Sequence, residues 1–211
     1  MTCCQIDLGK LLQGGFSTGH GHLREPNDIE SYAALACIAI QSNQNDQHGG
    51  QSVPNFDYGM APGVKKAYKR LYVTNLGKML DFLEDVEDGV ERMKALAGKI
   101  EHEHGVFPCM AWDNNYEELE LAELIKFIPE AEAKKMQDRS RKFADKEIRR
   151  KTYQAMEAFI HNLNTMHSRA GAQVPFSSIN YGTDTSPEGR LVMESVMLAT
   201  EAGLGNGETP I

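Results

Sequence analysis

Two adjacent thiols, Cys3 and Cys4, stand in the run TCCQIDL at residues 2–8, which reads as a strand. A strand turns consecutive side chains to opposite faces, so one of the two reaches a given site while the other packs behind it. Position alone does not say which. Cys37 and Cys109 share no CxxC spacing with them or with each other, and without a secretion signal structural disulfides are not expected, so the thiols are read as reduced. His20 with His22, and His102 with His104, form HxH pairs. No cysteine or carboxylate cluster stands at ligand spacing beside them, so no metal site is expected. A second chemistry is anion binding by loop amides. Gly49, Gly50, Gln51 and Ser52, and later Thr183, Thr185 and Ser186, can present N–H and hydroxyl groups to a nucleotide. Each stretch taken alone also suits a plain turn. Lys65, Lys66, Lys69 and Arg70 make a basic helical turn, the usual composition of a solvated face.

These residues need a scaffold. In SRAGAQVPFSSINYGTDTSPEGR, residues 168–190, Val174, Phe176, Ser178 and Asn180 alternate with Pro175, Ser177, Ile179 and Tyr181. That is the period of a strand, and its C-terminal end is polar on both faces. Gly182 relaxes the backbone, Thr185 or Ser186 caps the next helix, Pro187 suits its first turn, and Glu188 stands three residues after Thr185 as in a capping box. The helix N-terminus then lies at the C-terminal edge of the strand, where α/β sheets hold ligands.

Upstream, residues 11–28 read as a glycine-rich loop ending at Asn27 as a cap, with Glu30 three residues on. Ile29, Tyr32, Ala33, Ala36 and Ile40 make one helical stripe, and Leu35, Ile38 and Ala39 make the other side apolar too, as in a helix buried on several sides. The polar run QSNQNDQHGG ends it, and QSVPNFD holds a short extended piece. Residues 62–104 read as a long amphipathic helix broken at Gly77 or Gly89. A connector anchored by Phe107 and Trp112 follows, then a helix from Glu117 to Phe127 that stops before Pro129, then charged sequence to Arg150. The last long helix turns Ile148, Thr152, Met156, Phe159, Leu163 and Met166 inward, and Gly205 and Gly207 are read as ending a later helix before a strand.

Of the 211 residues, 41% are hydrophobic and 25% charged, the composition of one sizeable globular domain. The net charge of −8 argues against a nucleic-acid partner, which calls for a basic stripe. No apolar run reaches the roughly 20 residues a bilayer span needs, and no signal-peptide pattern opens the chain, so a cytoplasmic location and no membrane partner are expected.

TCCQIDL, HGGQSVPNFD at residues 48–57 and the run at 168–190, together with LGNGETPI at the end of the chain, closely resemble the anaerobic (class III) ribonucleoside-triphosphate reductase family. The resemblance runs along nearly the whole chain and is weakest between about Val73 and Arg141. It implies an α/β fold: a helix-rich part of the ten-stranded barrel shared by ribonucleotide reductases and glycyl radical enzymes. Residues 1–211 would be the N-terminal part of that barrel domain, cut at both ends and beginning at an internal methionine.

The resemblance selects Cys3 over Cys4, as the strand cysteine that gives a hydrogen atom to the ribose. Relatives carry asparagine or serine before it, where this chain has Thr2; the hydroxyl remains, but an asparagine's second donor is lost. It makes Thr2, Gly49, Gly50, Gln51, Ser52, Asn180, Thr183, Thr185 and Ser186 the candidate substrate contacts. A glycyl radical, a loop cysteine that becomes a thiyl, formate as reductant and a four-cysteine structural zinc complete the family's chemistry. None of the residues for these has a counterpart here, so no cofactor is expected within this chain and no reductase activity from it alone. Implied partners are a ribonucleoside triphosphate, nucleotide effectors, a second copy of the parent and a radical-SAM activating enzyme. The competing readings are a glycyl radical enzyme resembling pyruvate formate-lyase and a non-catalytic nucleotide-binding or dimerisation module.

Overall fold

The computed structural model describes every residue except 1, 2, 48, 84–86, 168, 170 and 211. In chain order its elements are β1 (Cys4–Gln5), α1 (Leu8–Leu12), a hairpin of β2 (Phe16–Ser17) and β3 (His22–Leu23), α2 (Ile29–Asp46), β4 (Gln51–Val53), α3 (Phe56–Leu83), α4 (Gly89–His104), α5 (Tyr116–Leu124), α6 (Glu130–Thr165), β5 (Ser177–Ile179) and α7 (Pro187–Ala202). The chain divides into two compact units, Met1–Lys66 with Arg149–Ile211, and Ala67–Ile148.

The first unit is an α/β layer around a parallel sheet of order β1-β4-β5. The register aligns Cys4 with Gln51 and Ser177, and Gln5 with Ser52 and Ser178. These rows alternate between faces. Cys4, Gln51 and Val53 turn to the side covered by α2, where Val53 and Gln51 are buried. Gln5 and Ser178 stay exposed on the opposite side. Ile29, Tyr32, Ala33, Ala36 and Ile40 of α2 are all buried, as their spacing requires, whereas Ile38 is exposed. Phe56 packs on Phe159 with ring centroids 5.0 Å apart, a contact worth about 1 kcal/mol beyond its area.

The strands are shorter than alternation suggests. The run at residues 2–8 bends after Gln5, because Asp7 accepts the Lys10 N–H at 3.2 Å and caps α1. The glycine-rich loop contains the β2–β3 hairpin, and α2 follows Asp28 rather than Asn27. It then runs on through the polar stretch to Asp46. Helix α3 starts at Phe56, with Pro62 inside it. Ser186, not Thr185, caps α7, accepting the Gly189 N–H at 3.0 Å. Gly189 is required there: a Cβ would stand 2.3 Å from Asp184 Cγ. Gly203 ends α7, and residues 204–208 close a turn rather than entering a strand.

The second unit is helical. Gly89 opens α4, while Gly77 stays inside α3, where the Val90 backbone lies so close that a Cβ would stand 2.4 Å from its Cα. The charged stretch before Arg150 is helix, part of the 36 residues of α6, with Glu130–Lys134 and Asp138–Lys142 ion pairs at i,i+4. Trp112 donates its indole N–H to the Tyr68 hydroxyl at 2.8 Å, which anchors the connector. Glu120 is fully buried, and accepts from Tyr72 at 2.5 Å, Tyr116 at 2.9 Å and Gln137 at 2.9 Å. Burial pushes its pKa up to about 7 against the opposing pull of those donors.

Candidate functional site

Cys3 immediately precedes β1, on the side of the sheet opposite Cys4 by alternation, and is exposed. It lines a cavity of 450 Å³ with Gly50, Ser52, Phe176 and Ser178. Asn180 donates to the Ser52 hydroxyl at 3.5 Å on the same side. Cys4, Gln5, Gln51 and Ser177 complete the cavity lining, so the wall is made of cysteines, glutamines and serines beside one glycine and one aromatic ring, with no charged group among the described residues lining it. Such a surface can hydrogen-bond a polyol and hold a thiol against it; it offers no cation to a phosphate.

The other expected contacts divide by what they already do. Gln51 turns away from the cavity's open side, is buried, and accepts from Asn43 at 2.8 Å. Gly49 is exposed in the loop before β4. Thr2 lies outside the described residues. The amides after β5, expected to face a phosphate, are held within the protein. The Asp57 Oδ2 accepts the N–H groups of Gly182, Thr183 and Asp184 at 2.9, 3.0 and 2.9 Å. Its Oδ1 accepts that of Tyr58 at 3.1 Å. Ser186 N–H donates to Asp184, and the Ser186 hydroxyl caps α7. The loop thus carries its own anion. What remains turned outward is the exposed side chains of Thr183 and Thr185.

Asp57 is wholly buried. Burial alone raises its pKa, and the N–H donors of Asp184, Gly182, Tyr58 and Thr183 together outweigh it and hold the carboxyl below its ordinary range. Nothing in the spacing of Asn55, Phe56 and Asp57 signals this role; only the topology, which sets the start of α3 beside the end of β5, creates it.

The remaining thiols sit in apolar or self-contained settings. Cys37 is buried on α2, donates to the Phe159 carbonyl at 3.8 Å, and burial pushes its pKa up to about 12. Cys109 is buried beside Asp113 and Asn114. Two of the four cations of the basic turn are paired, Lys66 with Glu25 at 2.5 Å and Lys69 with Glu101, and Lys65 and Arg70 are also engaged. No group of three metal-ligating side chains occurs among the described residues, and none of their helices is long and apolar enough to cross a membrane.

Fold and site together define an α/β module that presents one exposed thiol among hydroxyls on a polar sheet face. The family described as anaerobic ribonucleoside-triphosphate reductase matches residues 1–211, and the chain belongs to that enzyme family. Among its relatives, the anaerobic ribonucleoside-triphosphate reductase of Enterobacteria phage T4 is 24% identical over 210 residues, which are 99% of this chain and 25% of that protein. The Escherichia coli K12 reductase of the same name is 23% identical over 203 residues, 96% of this chain and 20% of the relative. That of Haemophilus influenzae is 20% identical over 210 residues, 99% and 22% respectively. The chain thus spans a quarter or less of the length of these relatives.

Proposed function

We propose that this chain forms the ribose-facing wall of an enzyme that reduces ribonucleoside triphosphates to deoxyribonucleoside triphosphates, with Cys3 as its hydrogen donor. The observation that carries this is the exposed Cys3 thiol at the start of the sheet, sharing its cavity with Ser52 and Ser178. In this reading the sheet is one portion of a ten-stranded barrel, and the uncovered face is the barrel's interior. Glycyl and thiyl radical groups in other parts of the protein supply the initiating chemistry. Formate is oxidised to carbon dioxide as the 2′-hydroxyl leaves as water and a hydrogen takes its place on C2′.

Within this frame the residues have separate tasks. Cys3 holds an S–H against the sugar; its hydrogen goes to the ribose, and the reducing equivalents of formate restore the thiol. Ser52, Ser178 and Asn180 hydrogen-bond the sugar hydroxyls, and Gly50 lets the sugar approach the backbone. The cavity suits a sugar, since ligand pockets commonly run to about 300–1,000 Å³. The triphosphate is held elsewhere, by groups beyond this wall, because the amides of the loop after β5 are already bound to Asp57. Thr183 and Thr185 add hydroxyls at its margin. Nucleotide effectors, a second copy of the parent and a radical-SAM activating enzyme complete the proposed system.

The test is Cys3→Ser in the longer reductase that carries this sequence, assayed anaerobically for deoxyribonucleotide formation. Turnover is expected to disappear while triphosphate binding, measured by equilibrium dialysis, persists. Wild-type turnover in that variant refutes the assignment.

A further inference from the structure

Cys3, just before β1, is exposed, whereas Cys4, its first residue, is half-buried and bonded by a side chain of α2. Cys4 turns to the helix-covered face, where its Sγ accepts an Asn43 amide hydrogen at 2.9 Å. The same Asn43 nitrogen donates to the Gln51 Oε1 at 2.8 Å. A carboxamide nitrogen carries two hydrogens, so both are used. Cys4 and Gln51 are direct neighbours in the register of β1 and β4, and Asn43 therefore bridges the two strands from below.

The bridge matters because β1 is so short. At its two ends this stretch is tied to the β4 strand by the Cys4 N–H to Gly50 at 3.2 Å and the Ile6 N–H to Ser52 at 2.8 Å. With Cys4 fixed downward, alternation compels Cys3 upward. Cys4 is half-buried and also lines a cavity of 730 Å³ with Ser42, Asn43 and Asp46, large enough to admit a small reagent, so the Asn43 bond is what occupies its sulfur there.

We propose that Asn43 is a positioning residue for Cys3: by bridging Cys4 and Gln51 beneath the sheet, it presents one thiol of the adjacent pair to the substrate face and withholds the other. The proposal deepens the reductase reading and rests on it for the role of Cys3, but its geometry is testable without turnover.

The experiment is competitive alkylation of the 211-residue chain with iodoacetamide, the modification of Cys3 and Cys4 being separated by tandem mass spectrometry of the N-terminal tryptic peptide. In the wild type Cys3 is expected to react well ahead of Cys4. Asn43→Leu is expected to lower the Cys3 to Cys4 rate ratio about fivefold or more, the equivalent of one lost hydrogen bond. A residue serving only general stability would speed both thiols together and leave the ratio unmoved. An unchanged ratio in a variant with wild-type circular dichroism overturns the proposal. If Asn43→Leu does not fold, Gln51→Leu decides the matter: it removes the β4 end of the bridge, and a ratio equal to the wild type's overturns the proposal equally. Failure of the reductase reading would appear instead in the turnover of Cys3→Ser, which the alkylation ratio does not touch.

Discussion

Replacing Asp57 should loosen the whole end of the sheet. Its carboxylate accepts three N–H groups from the loop after β5 and one from Tyr58, all from a fully buried position. Hydrogen bonds to a charged acceptor contribute roughly 1.5–3 kcal/mol each. In Asp57→Ala the freed amides of Gly182 and Thr183 can turn to water, since both residues are exposed, so the sum is not lost in full. A net destabilisation of about 3–4 kcal/mol is expected. Asp57→Asn keeps the shape and one acceptor oxygen but gives up the charge and the bond from Tyr58, and should cost about 1–2 kcal/mol. The assay is urea denaturation followed by far-ultraviolet circular dichroism, with amide hydrogen exchange of residues 182–184 as the local readout. The folded pKa of Asp57 lies below its ordinary value, so its contribution is present above about pH 3.8 and is lost as pH falls through the folded pKa. The gap between wild type and Asp57→Asn should therefore close in acid. A loss under about 1 kcal/mol in Asp57→Ala, with amides 182–184 exchanging as fast in the wild type as in the variant, refutes the reasoning.

Two further outcomes concern the helical unit. The folded pKa of Glu120 is raised from 4.5 to about 7, so its contribution is complete below 4.5 and is lost as pH rises through 7, and Glu120→Gln should flatten that decline in denaturant titrations across the range. Gly77→Ala should destabilise by about 1–3 kcal/mol or more, because its Cβ would meet Val90 backbone atoms that cannot turn aside, and a neutral midpoint in thermal melts would refute the close crossing.

The helices were legible where one face is apolar over several turns. Tyr32, Ala36 and Ile40 on α2, and Ile148, Met156 and Phe159 on α6, are buried as their spacing demands. The charged first half of α6 was not, because ion pairs and helix propensity hold it where the apolar stripe is thin. The sheet was read in kind but not in length, since alternation persists in the sequence after the ladder has stopped. At the candidate site, alternation implied that one thiol of the pair would face away, and resemblance selected Cys3. Neither could reveal Asn43 or Asp57. Both act on partners brought close only by the folded topology, and a lone polar residue in a helical pattern carries no mark of its partner.

The bond from Gly182 to Asp57 joins residues 125 apart in the chain. Closing a loop of that size is entropically slow, and contacts of such separation retard folding relative to local helix formation. During synthesis β4 is made long before β5, so its edge waits unpaired while α3 to α6 emerge. The interval leaves a parallel strand edge open to other chains, and growth temperature and expression rate should govern how much of the nascent product aggregates.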